Sequence, residues 1–299
     1  MLLTAFAVAL TPTRINLMKI AVVVPSHKEV LPEMEEYSFI QCLKVLGKYP
    51  VILVCGESTD CSCYKKISPD LLIERFDDSY FSSARGYNEL MVTSAFYERF
   101  EQYDYILIYQ LDAWVFRDEL EYWATHNYDY IGAPFSSKDW DENGEMVVGN
   151  GGLSLRNVKA FLSVLNNQNG PIYGKKRLLY FMKRHFYNRQ YWRMILPLIR
   201  MFGIKNNRGD YFKQMFKRKY FAEDLVFREL SDVYHKNGLK YASFEDAIRF
   251  SWEHEGERFF SQYGVKMPFA CHAWEIIPNH ILHSEIKKQI QLLKNKSLE

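Results

Sequence analysis

The sequence contains no uninterrupted apolar run of about 20 residues, so no segment reads as a membrane-spanning helix. It holds five cysteines, an odd number without framework spacing, which argues against a disulfide-stapled scaffold. Cys55, Cys61 and Cys63 have no nearby His or second Cys pair and are read as reduced thiols rather than metal ligands. Neither the GxGxxG dinucleotide fingerprint nor a P-loop is present. Internal repeats and low-complexity tracts are also lacking. The first 17 residues hold a short apolar run without a leading positive charge, unlike a signal peptide, and Met18 is expected to be the natural start. The closing Leu298-Glu299 is set aside as a cloning remnant.

What is present is the composition of a folded protein: 48% hydrophobic, 25% charged and 16% aromatic over 299 residues. The net charge of +2 hides a strong asymmetry. Between Lys175 and Lys219 fourteen basic residues are opposed only by Asp210, and the remainder is net acidic.

Ile20 to Val24, closed by Pro25, reads as a buried parallel strand. A helix follows from Pro32 to about Leu46, with Phe39, Ile40, Leu43 and Leu46 on one face. Val51 to Cys55 and Leu71 to Phe76 read as further strands. Ser82-Ser83 offer a cap for a helix from Tyr87 to Phe100. Tyr105 to Tyr109 is a strand that runs into Gln110-Leu111-Asp112. Alternating strands and helices predict an α/β, Rossmann-like half over residues 18–116, with ligands at the carboxyl ends of the strands. Residues 117–299 are less regular. They hold strand and turn material from Ile131 to Pro134 and Met146 to Leu155, a basic helical insert at about 172–220, and a helix from Glu223 to Asn237.

Several residues there have two readings each. Asp112 either caps a turn or binds a divalent cation bridging a diphosphate. Glu223-Asp224 either favour a helix N-terminus by charge or supply a general base. His272 is either structural or, with Asp112, completes a site for Mn²⁺ or Mg²⁺. Gly149 to Arg156 is either a tight hairpin or a backbone that lets a ligand come close.

Taken in order, several strings resemble the GT-A glycosyltransferase superfamily. They are Tyr87-Asn88-Glu89-Leu90-Met91, Tyr109-Gln110-Leu111-Asp112-Ala113, Asp129 to Pro134, Gly149 to Arg156, Glu223-Asp224 and Pro268 to Trp274. More closely, they resemble a glycosyltransferase-like family first catalogued as a domain of unknown function. The resemblance implies a single GT-A domain over 18–299, a mixed sheet flanked by helices with the basic insert added. It implies that Pro25, Ser26 and His27 border the nucleotide base and that Arg85, Tyr87 and Asn88 face the nucleotide or donor sugar. Asp112 stands at the last Asp of a DxD motif. Gln110 replaces the first, so strict metal dependence is not implied. Gly151 and Gly152 match the glycines lining the sugar and acceptor site. Glu223 and Asp224 match an acidic pair of inverting enzymes, with Asp224 as base, and His272 matches a metal-binding His.

The expected activity is transfer of a sugar from a nucleotide-sugar donor, taken as a UDP-sugar, to a glycan or lipid-linked acceptor in surface polysaccharide or lipopolysaccharide synthesis. Leu178 to Phe202 mixes aromatic, aliphatic and basic residues as interfacial helices do, which predicts a cytoplasmic protein peripheral on the inner face of the cell membrane. A solvated helical insert is the competing reading, and nucleic acid is the weaker partner, since no recognisable module for it accompanies the basic segment. Two rivals stand: a GT-A-like protein that binds a nucleotide sugar or glycan without turnover, and a peripheral membrane scaffold.

Overall fold

The computed structural model describes residues 18–135, 147–167, 222–230, 238–276 and 279–296, with the isolated positions 186, 189, 191 and 195. Met146, most of the basic segment and residues 231–237 lie outside the described residues.

The larger sheet has six strands: β1 (Ile20–Pro25), β2 (Val51–Gly56), β3 (Leu72–Phe76), β4 (Tyr105–Tyr109), β6 (Tyr130–Gly132) and β7 (Leu153–Asn157). Their order is β3-β2-β1-β4-β7-β6. The first four are parallel, with Val22 opposite Val51 and Ile20 opposite Tyr105. β7 runs antiparallel to both β4 and β6, so the sheet is mixed.

Alternation along β1 and its neighbours feeds two cores. Val22, Val24, Leu53 and Leu107 face helix α1 (Glu33–Leu46) through Phe39, Cys42 and Leu46. Ala21, Val23, Ile52, Ile106 and Ile108 face Phe96, Tyr97, Phe161 and Phe227 on the other side. Each of these aliphatic side chains contributes about 1.5–3 kcal/mol by leaving water.

The second side is covered by α3 (Ala84–Met91), α4 (Ser94–Glu98), α6 (Val158–Asn166) and α7 (Glu223–Leu230). The expected helix from Tyr87 to Phe100 is thus two helices. Val92 leaves helical geometry at φ −105° and ψ 17°. Thr93 starts the next helix, its hydroxyl accepting from the Phe96 N–H at 3.3 Å while donating to the Leu90 carbonyl at 2.7 Å. Ser83 caps α3 as expected, accepting from the Gly86 N–H at 3.1 Å.

A three-stranded sheet, β5 (Trp114–Val115), β9 (Ala270–Cys271) and β8 (Ser251–Trp252), joins distant segments. β9 lies between the other two, antiparallel to β5 and parallel to β8. Trp114, Trp252 and Trp274 pack beneath it with Ile286 and Ile290 of α10 (His280–Lys296). The function of this small sheet is positional. It brings the residues after β8 and β9 to the carboxyl end of β4. α2 (Ser62–Ile67), α5 (Leu120–Thr125), α8 (Phe244–Phe250) and α9 (Gly256–Tyr263) complete the described helices.

Candidate active site

At the carboxyl ends of β1 and β4 the chain opens into a cleft of about 400 Å³. Its wall includes Pro25, Ser26, His27, Lys28, Glu35, Tyr87, Gln110 and Asp112. A parallel strand order that steps outward in both directions from β1 and β4 leaves a crevice at those ends. Ser26 is held there: its hydroxyl oxygen accepts from the Tyr64 hydroxyl at 2.6 Å and from the Lys28 N–H at 3.2 Å. The Lys28 ammonium is paired with Glu35. Of the residues expected to face the nucleotide, Pro25, Ser26, His27, Tyr87 and Asp112 therefore share one cleft.

Two are not among its lining residues. Asn88 spends its amide on the protein, accepting from the Glu223 N–H at 2.8 Å and donating to the Ala84 carbonyl at 2.7 Å. Arg85 is paired with Glu89 one turn along α3 at 2.8 Å and is not among the lining residues.

Asp112 follows β4, and His272 follows β9. Pairing of β5, which begins two residues after Asp112, with β9 brings them together, with His272 Nε2 lying 3.2 Å from Asp112 Oδ1 and 3.0 Å from Gln110 Oε1. On its other side His272 Nδ1 is 3.6 Å from Glu253 Oε1, supplied by the residue after β8. Burial alone would lower the His272 pKa, but the Asp112 and Glu253 carboxylates outweigh it and push it up to about 10. For Asp112, burial pulls upward, and the bond and charge of His272 prevail to hold it below the usual carboxylate range.

The glycine pair links this group to the acidic pair. A Cβ on Gly152 would fall 1.9 Å from His272 Nε2, and one on Gly151 would fall 2.1 Å from Glu223 Oε1. No side chain fits at either position. The Gly152 carbonyl accepts from the Gln110 N–H at 3.0 Å, and the Gly151 N–H donates to Asp224 Oδ2 at 3.3 Å. Asp112, the two glycines, the acidic pair and His272 thus form one connected set.

The two acidic residues have separated tasks. Glu223 is buried, with both carboxylate oxygens on the guanidinium of fully buried Arg156, at 2.7 and 3.2 Å. Glu223, expected to share the catalytic work with Asp224, thus sits in an internal ion pair. Among the described residues, Asp224 accepts from the Gly151 and Leu225 N–H groups. Burial, and then the charge of Glu223, push its pKa up from 3.8 to about 7, where a carboxylate serves as a base at neutral pH.

Arg156, Glu253, Lys28 and Glu35 were not singled out for roles by sequence. The signal for Arg156 was a charged residue within the otherwise buried strand Leu153–Asn157. Nothing in the sequence places Glu253 against His272, since that contact depends on pairing of β8 with β9.

A family model described as "Protein of unknown function (DUF5672)" matches residues 70–272, more than half of the chain. The chain belongs to this DUF5672 family. The DUF5672 match takes in Tyr87, Asp112, the glycine pair, Glu223, Asp224 and His272, and leaves Pro25, Ser26 and His27 outside. Among solved structures, the chain is similar to the mannosyltransferase PcManGT from Pyrobaculum calidifontis in complex with GDP-Man and Mn²⁺. That likeness has 12% sequence identity and a TM-score of 0.33, and covers 48% of this chain. This chain spans less than half of that enzyme, 45% of its length. No curated protein matches the sequence.

Proposed function

We propose that this DUF5672 protein is a glycosyltransferase of the GT-A type that moves a sugar from a nucleotide-sugar donor to a hydroxyl acceptor with inversion. One observation carries the reading. A strand-end cleft reaches Asp112, which is paired with His272, and the adjoining glycine pair holds Asp224, a carboxylate whose pKa of about 7 suits proton abstraction. Donor, base and acceptor would then be held beside one another rather than found by diffusion.

A divalent cation fits this donor set once the His272 imidazole, held protonated by Asp112 and Glu253, gives up its proton. Asp112 Oδ1 and His272 Nε2 lie 3.2 Å apart, an oxygen and an imidazole nitrogen of the kind that Mn²⁺ or Mg²⁺ accepts. Those two residues would hold it, with the Gly152 backbone passing close enough to exclude a side chain. When bound, the cation would neutralise charge on a departing diphosphate. No group of three or more His, Cys, Asp or Glu suited to a metal exists among the described residues. The nucleotide and water must therefore complete the coordination. The acceptor class remains the glycan or lipid-linked hydroxyl compound expected from sequence, and the basic segment that suggested a membrane surface lies outside the described residues. No helix among the described residues is long and apolar enough to cross a membrane.

That same scarcity of ligands, with Gln110 beside His272, favours the second reading of a nucleotide-sugar binder without turnover. A thermal-shift screen of nucleotide sugars with and without Mn²⁺, followed by assay of nucleotide diphosphate release, separates the two. A ligand specific for the native state at 100 times its Kd stabilises by about 2.7 kcal/mol. A UDP-sugar is expected to give the largest shift, and Asp112→Ala to abolish the Mn²⁺-dependent part. Absence of a shift with every nucleotide sugar defeats both readings, and a shift without turnover leaves the binder.

A further inference from the structure

Arg156 and Glu223 are the most deeply buried charges near the site, and their geometry extends to Asp224. Besides Glu223, the guanidinium donates to Ser154 Oγ at 2.9 Å, to the Tyr97 hydroxyl at 2.9 Å and to the Tyr130 hydroxyl at 3.3 Å. It also donates to the Gly151 carbonyl at 3.3 Å, and its face lies 4.9 Å from the centre of the Tyr130 ring. Arg156 thus grips the Gly151 residue by its oxygen, while the N–H of that residue holds Asp224. The hydroxyl of Ser154 donates to the same carbonyl at 3.0 Å. Glu223 is fixed at its own end by Asn88, which accepts its backbone N–H.

A buried ion pair contributes little net stability compared with apolar residues of similar volume, because both ions lose their hydration. What such a pair does supply is direction, since a bidentate fork admits few orientations. We propose that the buried Arg156–Glu223 pair is the positioning device for Asp224, fixing the Gly151 backbone that holds it and setting a like charge beside it. The inference rests on the reading of Asp224 as base, and assigns neither Arg156 nor Glu223 any contact with substrate.

The groups acting on Asp224 are few. Glu223 on α7 and Arg156 on β7 are the charged ones. Tyr87 of α3, Tyr130 of β6 and Tyr241 before α8 also sense it, and burial pushes all three phenols upward so that they stay neutral. Removing the Glu223 charge therefore weakens the hold of Asp224 on its proton, and an Arg156 left without its counter-ion acts in the same direction.

The test is the titration midpoint of the Asp224 carboxyl, followed by NMR in ¹³C-aspartate-labelled full-length protein, with Asp224→Asn assigning the resonance. In Glu223→Gln the midpoint is expected to fall by about one unit or more, a tenfold loss of proton affinity. Should that variant fail to fold, Arg156→Met/Glu223→Leu carries the test, since it removes both charges together. Arg156→Lys keeps a cation without the fork and is expected to leave the midpoint high while broadening the resonance. A wild-type midpoint near 7 that stays unmoved in a folded Glu223 variant overturns the positioning role alone. A wild-type midpoint in the ordinary carboxylate range overturns both this role and the base it serves.

Discussion

Replacing Asp224 by Asn should make the protein more stable above neutral pH while removing its chemistry. Folding raises the Asp224 pKa from 3.8 to about 7, with burial the larger cause and Glu223 the next. A raised carboxylate pKa means that the folded state binds the proton more tightly than the unfolded state. Its contribution to stability is then fully present below the unfolded value and is lost as pH rises through the folded one. The shift corresponds to about 4 kcal/mol at 1.36 kcal/mol per unit. Asp224 is partly exposed, so solvent screening reduces this to about 2 kcal/mol. Asn also offers a single acceptor to the two N–H groups of Gly151 and Leu225, which costs about 1 kcal/mol at every pH. Urea denaturation of both proteins from pH 4 to 8 separates these terms. The stability of Asp224→Asn relative to wild type should climb by about 2 kcal/mol across that window and level off above pH 7. Sugar transfer by wild type should show an acidic limb near pH 7, and the variant should lose about 10²–10⁴-fold in rate. A stability difference independent of pH would refute the burial argument, whatever the kinetics show.

Other outcomes follow from the packing. Gly152→Ala places a methyl group 1.9 Å from His272 Nε2. It should abolish Mn²⁺-dependent stabilisation by nucleotide sugar in a thermal-shift assay at a folding cost of about 1–3 kcal/mol. Phe39→Ala, beneath the sheet and fully buried, should cost about 3–5 kcal/mol in urea unfolding yet leave the metal-dependent shift intact in the folded fraction.

The strands of the first half were legible because continuous apolar runs such as Ile20 to Val24 and Tyr105 to Tyr109 have few alternatives to burial in a parallel sheet. Their ends pointed to Ser26, His27, Lys28 and Asp112, and the resemblance added Pro25. The break at Thr93 was not legible, because apolar spacing continues across it and a hydroxyl at that point is neutral until its partners are known. His272 with Asp112 was one of two readings of the residue types until the resemblance favoured it, since 159 intervening positions carry no periodic signal. The division between Glu223 and Asp224 was hidden for a related reason. Two adjacent carboxylates look alike until a buried Arg156 from another strand engages one of them. Residues whose role depends on a partner distant in sequence are the ones that sequence reading assigned least well.

The pairing of Trp114 with Cys271 also orders events during synthesis. Ribosomes deliver the parallel strands, and with them a crevice, long before His272 and Glu253 emerge. A nascent chain would then present the early strands before the imidazole that pairs with Asp112. On the function proposed above, competence to react would arrive only when the late segment docks against its early strand, and a polypeptide cut short before that point would be inert.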